Sequence, residues 1–219
     1  MIFMALYFAA AFVNICSILA GKKTARIISK CCLMPLLAAY YLMLTLNTSG
    51  DAAPFQIFVI IALFFAWAGD AALAVSGRQN LFFAGLGSFL IGHIFYILQF
   101  FTYTSLSTFS IITLCILLAA EAVIIIVMQF SRVYIIPFVI YGFALALMAA
   151  LALSVCLKQA AAAPFARAFA AGGLLFFASD IVLGAFAAHP KNKYRDVFIM
   201  ITYIAAQFCI VLGAANVSY

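Results

Sequence analysis

The chain has 219 residues, of which 70% are apolar and 7% charged, with a formal net charge of +6. A soluble domain needs about a quarter of its residues charged to solvate its surface, so a water-soluble globule is excluded and lipid is the solvent. The positive balance is explained by membrane topology and anionic lipid heads, with no reason to invoke nucleic acid.

A helix that crosses a bilayer needs about 20 mostly apolar residues. Gly, Pro and charged residues divide the chain into eight such spans, near 2–20, 28–46, 55–75, 81–103, 107–129, 133–157, 166–188 and 196–217. The expected fold is all-α: one transmembrane domain over residues 1–219, a bundle of about eight helices with short connections. Continuous apolar character without period-2 alternation excludes an outer-membrane barrel.

The first span lacks a basic leader and is followed at once by "GKKTAR", so it reads as a retained helix rather than a cleaved signal peptide. The second opens near Lys30 and carries Tyr40. The third ends in "GDAAL", with Asp70 in its last turns. The fourth holds Gly85 and Gly92, which permit close helix approach, and His93 and Tyr96, three apart on one face. Glu121 lies on the fifth span and Tyr141 on the sixth. Ser179 and Asp180 lie near the end of the seventh, and Tyr203 and Gln207 are four apart on the eighth. The six cysteines lack metal-ligand spacing and read as packing residues, so no metal or cofactor is expected.

Orientation follows from the basic residues. Nine (Lys22, Lys23, Arg26, Lys30, Arg78, Arg132, Lys191, Lys193 and Arg195) follow the odd-numbered spans, against two (Lys158 and Arg167) on the opposite side. This bias puts both termini outside the cytoplasm, in a bacterial inner membrane. Asp70 and Asp180 then lie roughly 10–15 Å inside the cytoplasmic boundary, at a rise of 1.5 Å per residue.

The third and fourth spans echo the seventh and eighth. "FFAWAGDAAL" matches "LFFASDIVL" with one gap, and "YILQF" matches "YIAAQF". Two parallel four-helix repeats would be related by an axis along the membrane normal. A carboxylate in hydrocarbon is costly unless it faces a cavity or a partner, and such residues default to function. The structural alternative pairs Asp70 with His93 as glue between helices, with the Tyr and Gln residues bridging or packing. The expected arrangement is a polar pocket open to the cytoplasmic leaflet that gathers both acids.

These motifs resemble the YhhN-like integral membrane proteins, which include the lysoplasmalogenases. The resemblance rests on "GDAAL", "FFAGLGSFLIGHIFYILQF", "FFASDIVLGAF" and "YIAAQF". It covers spans two to eight. Members often have Lys-Pro near the start of span two, whereas here Lys30 is followed by Cys31, with Pro35 later. The resemblance implies hydrolysis of the vinyl ether of a lysoplasmalogen to a fatty aldehyde and glycerophosphoethanolamine or glycerophosphocholine. The partners it implies are a single-chain lysophospholipid and the bilayer, through which the lipid reaches the site sideways.

Hydrolysis of a vinyl ether begins with protonation of its β-carbon and proceeds through an oxocarbenium ion that water captures. Glycoside hydrolysis makes the same demands and meets them with two carboxyl groups. Two acids in one low-dielectric pocket cannot readily both ionise, so one keeps its proton. On this reading Asp70 and Asp180 are the catalytic pair. Ser179 beside Asp180 makes Asp180 the candidate ionised member. His93, Tyr96, Tyr203 and Gln207 position water and the glycerol hydroxyl, Tyr40 is a further candidate, and Lys30 with the basic loops attracts the phosphate.

Two rivals share the two-acid pattern. An intramembrane aspartyl protease would need its acids in another order, and neither Tyr-Asp nor Pro-Ala-Leu is present. A transporter or lipid-binding protein could use the acids as a proton relay, but no span is broken by paired Gly or Pro.

Overall fold

The computed structural model describes residues 2–46, 57–74, 79–128, 132–159, 164–186 and 192–215. Arg78 and Lys191, both used in the charge bias, lie outside them, as do several expected span ends. Among the described residues there are eight helices and no strand: α1 (Ile2–Leu19), α2 (Lys23–Leu46), α3 (Ile57–Ala74), α4 (Gln79–Phe101), α5 (Thr108–Val127), α6 (Arg132–Lys158), α7 (Pro164–Ala185) and α8 (Lys193–Ala215). Each is long and apolar enough to cross a bilayer. The protein is a polytopic helical membrane protein.

Two helices begin three or more residues earlier than hydropathy suggests, each for a local reason. After a turn at Gly21, whose φ of +67° suits a residue without a Cβ, α2 starts at Lys23 rather than near 28. Lys30 is therefore two turns inside a helix and not in a loop. α8 starts at Lys193 because Asn192 caps it, its Oδ1 accepting from the amides of Tyr194 (2.9 Å) and Arg195 (3.3 Å). Asp196 in the first turn suits the positive end of the helix dipole.

Seven helices close a ring in the order α1, α2, α3, α4, α6, α7, α8, with α8 also touching α2. α5 lies outside it, packed mainly on α6, and presents Ile112, Ile116, Val123 and Ile126 outward, as a lipid-facing helix does. Exchanging α1–α4 with α5–α8 maps most helix pairs onto one another. α3–α4 becomes α7–α8, α2–α3 becomes α6–α7, and α2–α8 becomes α6–α4. The exceptions are α1–α8, for which α5 makes no comparable packing on α4, and the slight α5–α7 packing, which α1 and α3 do not match.

The tightest seams use small residues, as lipid-embedded helices do. A Cβ on Gly92 would lie 3.2 Å from the Ala62 carbonyl, and one on Gly85 2.9 Å from Leu73 and 3.3 Å from the Gly69 carbonyl. Both glycines thus allow α3 and α4 to touch backbone to side chain. Pro35, inside α2, lacks the N–H that would bond the Cys31 carbonyl. That carbonyl instead accepts from Trp67 Nε1 of α3 at 3.1 Å, so the gap in one helix becomes a tie to the next.

The Gly92→Leu variant is expected to lose about 1–3 kcal/mol of stability through overpacking, measured by thermal unfolding in detergent. Gly87→Ala, where a Cβ would meet nothing within 4 Å, is expected to unfold with the wild type.

Candidate functional site

Asp70 lies four residues before the end of α3 and Asp180 five before the end of α7. This is about 6–8 Å from the described helix ends at 1.5 Å per residue. Both are buried, at 1% and 5% exposure, because each is surrounded by two neighbouring helices that supply polar partners.

Asp70 takes its partners from α2 and α8. Lys30 Nζ lies 3.0 Å from Oδ1, and the Tyr203 hydroxyl donates to Oδ2 at 2.8 Å. Asp180 takes its partners from α6 and α4. The Tyr141 hydroxyl donates to its Oδ2, and His93 Nε2 lies 3.4 Å from the same oxygen and 3.0 Å from the Tyr141 hydroxyl. His93 therefore belongs to Asp180, not to Asp70 as the structural alternative supposed. Phe176 makes edge contacts with both the His93 and Tyr203 rings and separates the two clusters beneath the acids.

The two carboxyl groups open onto one cavity of about 290 Å³ at the end of the bundle where α2 and α8 begin. Lys30, Ser179 and Tyr203 also line it, with Phe82 and Phe89 as apolar wall. Its mouth carries Lys23, Arg26, Arg195 and Asp196. Arg26 Nη1 lies 3.0 Å from Asp196 Oδ2 and Arg195 Nη2 3.6 Å from Oδ1, so two guanidinium groups share one carboxylate. With Lys23 beside them, the mouth is net positive. Asp196 carried no separate signal in the sequence, where it lies inside a basic run; only its place between two arginines marks it.

Several residues grouped with the acids in the sequence stand elsewhere. Ser179 donates to the Ile199 carbonyl at 3.0 Å, tying α7 to α8. Its hydroxyl proton is therefore committed to that carbonyl and not to Asp180, and the ammonium group of Lys30 stands at Asp70. Tyr96 donates to Gln207 Oε1 at 2.5 Å in the packed interior, and neither lines the cavity. Tyr40 is buried with its ring stacked at 6.0 Å on Phe208, also off the cavity wall. Glu121 is buried on α5 with its carboxyl against Gly142 of α6. Its Oε1 has no hydrogen-bond partner among the described residues.

Breaking a buried ion pair from one side costs more than removing both charges. Lys30→Met is expected to lower stability by about 3 kcal/mol, and Lys30→Met combined with Asp70→Asn to recover most of the loss, both read by thermal unfolding in detergent. Equal losses in the single and double variants would show that solvent in the cavity already compensates Asp70.

The sequence model of the YhhN family matches residues 25–214, which spans α2 to α8 apart from the first residues of α2 and the last of α8. No curated protein and no solved structure matches the chain.

Proposed function

Because the chain belongs to the YhhN family, we propose that it is a membrane lysoplasmalogenase. It would hydrolyse the vinyl ether bond of a single-chain phospholipid to a fatty aldehyde and glycerophosphoethanolamine or glycerophosphocholine. The observation that carries this reading is the unlike company of the two acids on one cavity wall. Asp70 faces an ammonium group, whereas Asp180 faces a hydroxyl and an imidazole. Two carboxyl groups in unlike surroundings can take the separate roles of acid and base.

Asp180 is the acid. Its proton passes to the β-carbon of the vinyl ether, and the C=C electrons form that C–H bond while the ether oxygen shares the positive charge at the α-carbon. Asp70, paired with Lys30 and held by the Tyr203 hydroxyl, stands next to this cation and is the base for water. Water adds to the α-carbon and gives its proton to Asp70. The hemiacetal then collapses to the aldehyde, its hydroxyl proton passing to Asp180, while the proton on Asp70 goes to the departing glycerol oxygen. Both acids return to their starting states and one water is consumed.

The phosphate fits the mouth, where Lys23, Arg26 and Arg195 outnumber Asp196. Guanidinium groups match phosphate oxygens in pairs. Lys30 lines the same cavity and can turn toward the phosphate as positive charge develops beside Asp70. The basic end of the bundle faces the cytoplasm by the positive-inside rule, which puts the cavity in the inner leaflet.

Purified protein in detergent, incubated with alkenyl, alkyl and acyl lysophospholipids and read by mass spectrometry, is expected to release aldehyde from the alkenyl lipid alone. Transport produces no product where there are no compartments, so this also separates the hydrolase from a transporter. Asp70→Asn and Asp180→Asn are each expected to lower aldehyde release by roughly 10²–10⁴-fold while the protein still folds. Near-normal release from both variants would remove the proposal.

A further inference from the structure

Asp180 is reached from a second direction. A narrow recess of about 20 Å³ lies between α4, α6 and α7. Its walls are Phe82, Phe83 and Leu86 from α4, Tyr134 and Phe138 from α6, and Leu183 from α7, and it ends on Tyr141 and Asp180. Gly184 shapes its floor, because a Cβ there would run into the Phe138 ring. The Tyr134 ring stands edge-on to Phe82 at 6.2 Å and leans on Phe83 at 5.7 Å, lining the opening with aromatic surface.

Phe82, Leu183 and Asp180 line both this groove and the polar cavity. The carboxyl group thus stands where a wet, positively charged space meets a dry, hydrocarbon one. The outer walls, Phe82, Phe83, Leu86, Tyr134 and Leu183, are partly exposed, so the groove opens sideways out of the bundle. All three helices cross the membrane, and what lies outside them is lipid. An ordinary lipid-facing seam has no reason to end on a carboxyl group, since an acid in contact with hydrocarbon is costly. The enclosed part of the groove is narrow, about the space of one water-sized group, so two chains side by side do not fit it.

We infer that the α4–α6–α7 groove holds the first carbons of the lysolipid's hydrocarbon chain and is the lateral opening through which that chain arrives. This rests on the proposed hydrolysis for the bond it presents, the head-to-tail junction, which falls beside Asp180 when the phosphate is at the arginines and the chain is in the groove. A chain moving from the bilayer into the groove exchanges one hydrocarbon surrounding for another. The groove therefore sets the register of the reacting bond and adds little affinity. Its width selects lipids with one chain over lipids with two.

The test uses the purified full chain in detergent and a saturated alkyl-ether lysophosphatidylethanolamine bearing a diazirine close to the ether oxygen, a probe that has no vinyl ether to hydrolyse. After illumination, label is expected on the α4 segment that carries Phe82 to Leu86 and the α6 segment that carries Tyr134 to Phe138. Excess unlabelled lysophosphatidylethanolamine should reduce it several-fold, and two-chain phosphatidylethanolamine should not. Leu86→Trp, which fills the groove from a half-buried position, should lose the label at an unchanged unfolding temperature. Phe83→Ala, which widens it, should let the two-chain lipid compete, and stands in if Leu86→Trp does not fold. Label spread evenly over outward faces such as that of α5, or equal competition by both lipids on the wild type, overturns the proposal. Specific labelling without aldehyde release from the alkenyl lipid would keep the groove and discard the hydrolase.

Discussion

The architecture depends on one constraint: the carboxyl groups at the basic end of the bundle must find their compensation inside the protein. Burying an unpaired acid in hydrocarbon costs on the order of 3 kcal/mol or more, and this bundle buries two at one end. Asp70 draws in α2 and α8, and Asp180 draws in α4 and α6. With α3 and α7, which carry them, the acids engage six of the seven ring helices. α5, outside the ring, contributes to neither cluster. The same contacts that compensate the acids leave them facing a shared cavity, so stability and the exposure of a reactive pair have one origin.

The two clusters are also built alike. In each, the acid sits on the third helix of a half, one partner on the second helix of the same half, and the other on the fourth helix of the opposite half. Asp70 and Asp180, Lys30 and Tyr141, and His93 and Tyr203 stand 110 or 111 positions apart. So do Tyr96 and Gln207, which bond to each other as residues near an axis between two halves do. Matching "YILQF" with "YIAAQF" pairs Tyr96 with Tyr203 instead. The contacts correct that register, because it is His93 and Tyr203 that each reach an acid. A near-symmetric frame with unlike side chains is a direct way to give two identical carboxyl groups different partners.

The cavity and groove have a further consequence for an amphiphile. Charge is concentrated at the mouth, where Arg26 and Arg195 share Asp196, and declines toward Asp180, beyond which the wall is aromatic and aliphatic. A molecule with one phosphate and one chain meets the same gradient along its own length. On the proposed reading the reacting bond is located by that match, without the protein having to grip either end tightly.

Much was written in the chain itself. Eight spans, their approximate limits and the singularity of Asp70 and Asp180 follow from local composition, because lipid penalises polar groups wherever they fall. The close approach at Gly85 and Gly92 follows from size. The basic starts of α2 and α8 fall outside the spans that hydropathy marks because charge reads there as punctuation, whereas Arg26 turns inward to a carboxylate on another helix. Which donor serves which acid, the bond from Ser179 to the Ile199 carbonyl, the withdrawal of Tyr96 and Gln207 from the cavity wall, the exchange at Pro35 and Trp67, and the groove ending on Asp180 all join residues apart in sequence. Hydropathy along one helix carries no information about its rotation against another; that is set by packing, and packing exists only once the bundle has closed.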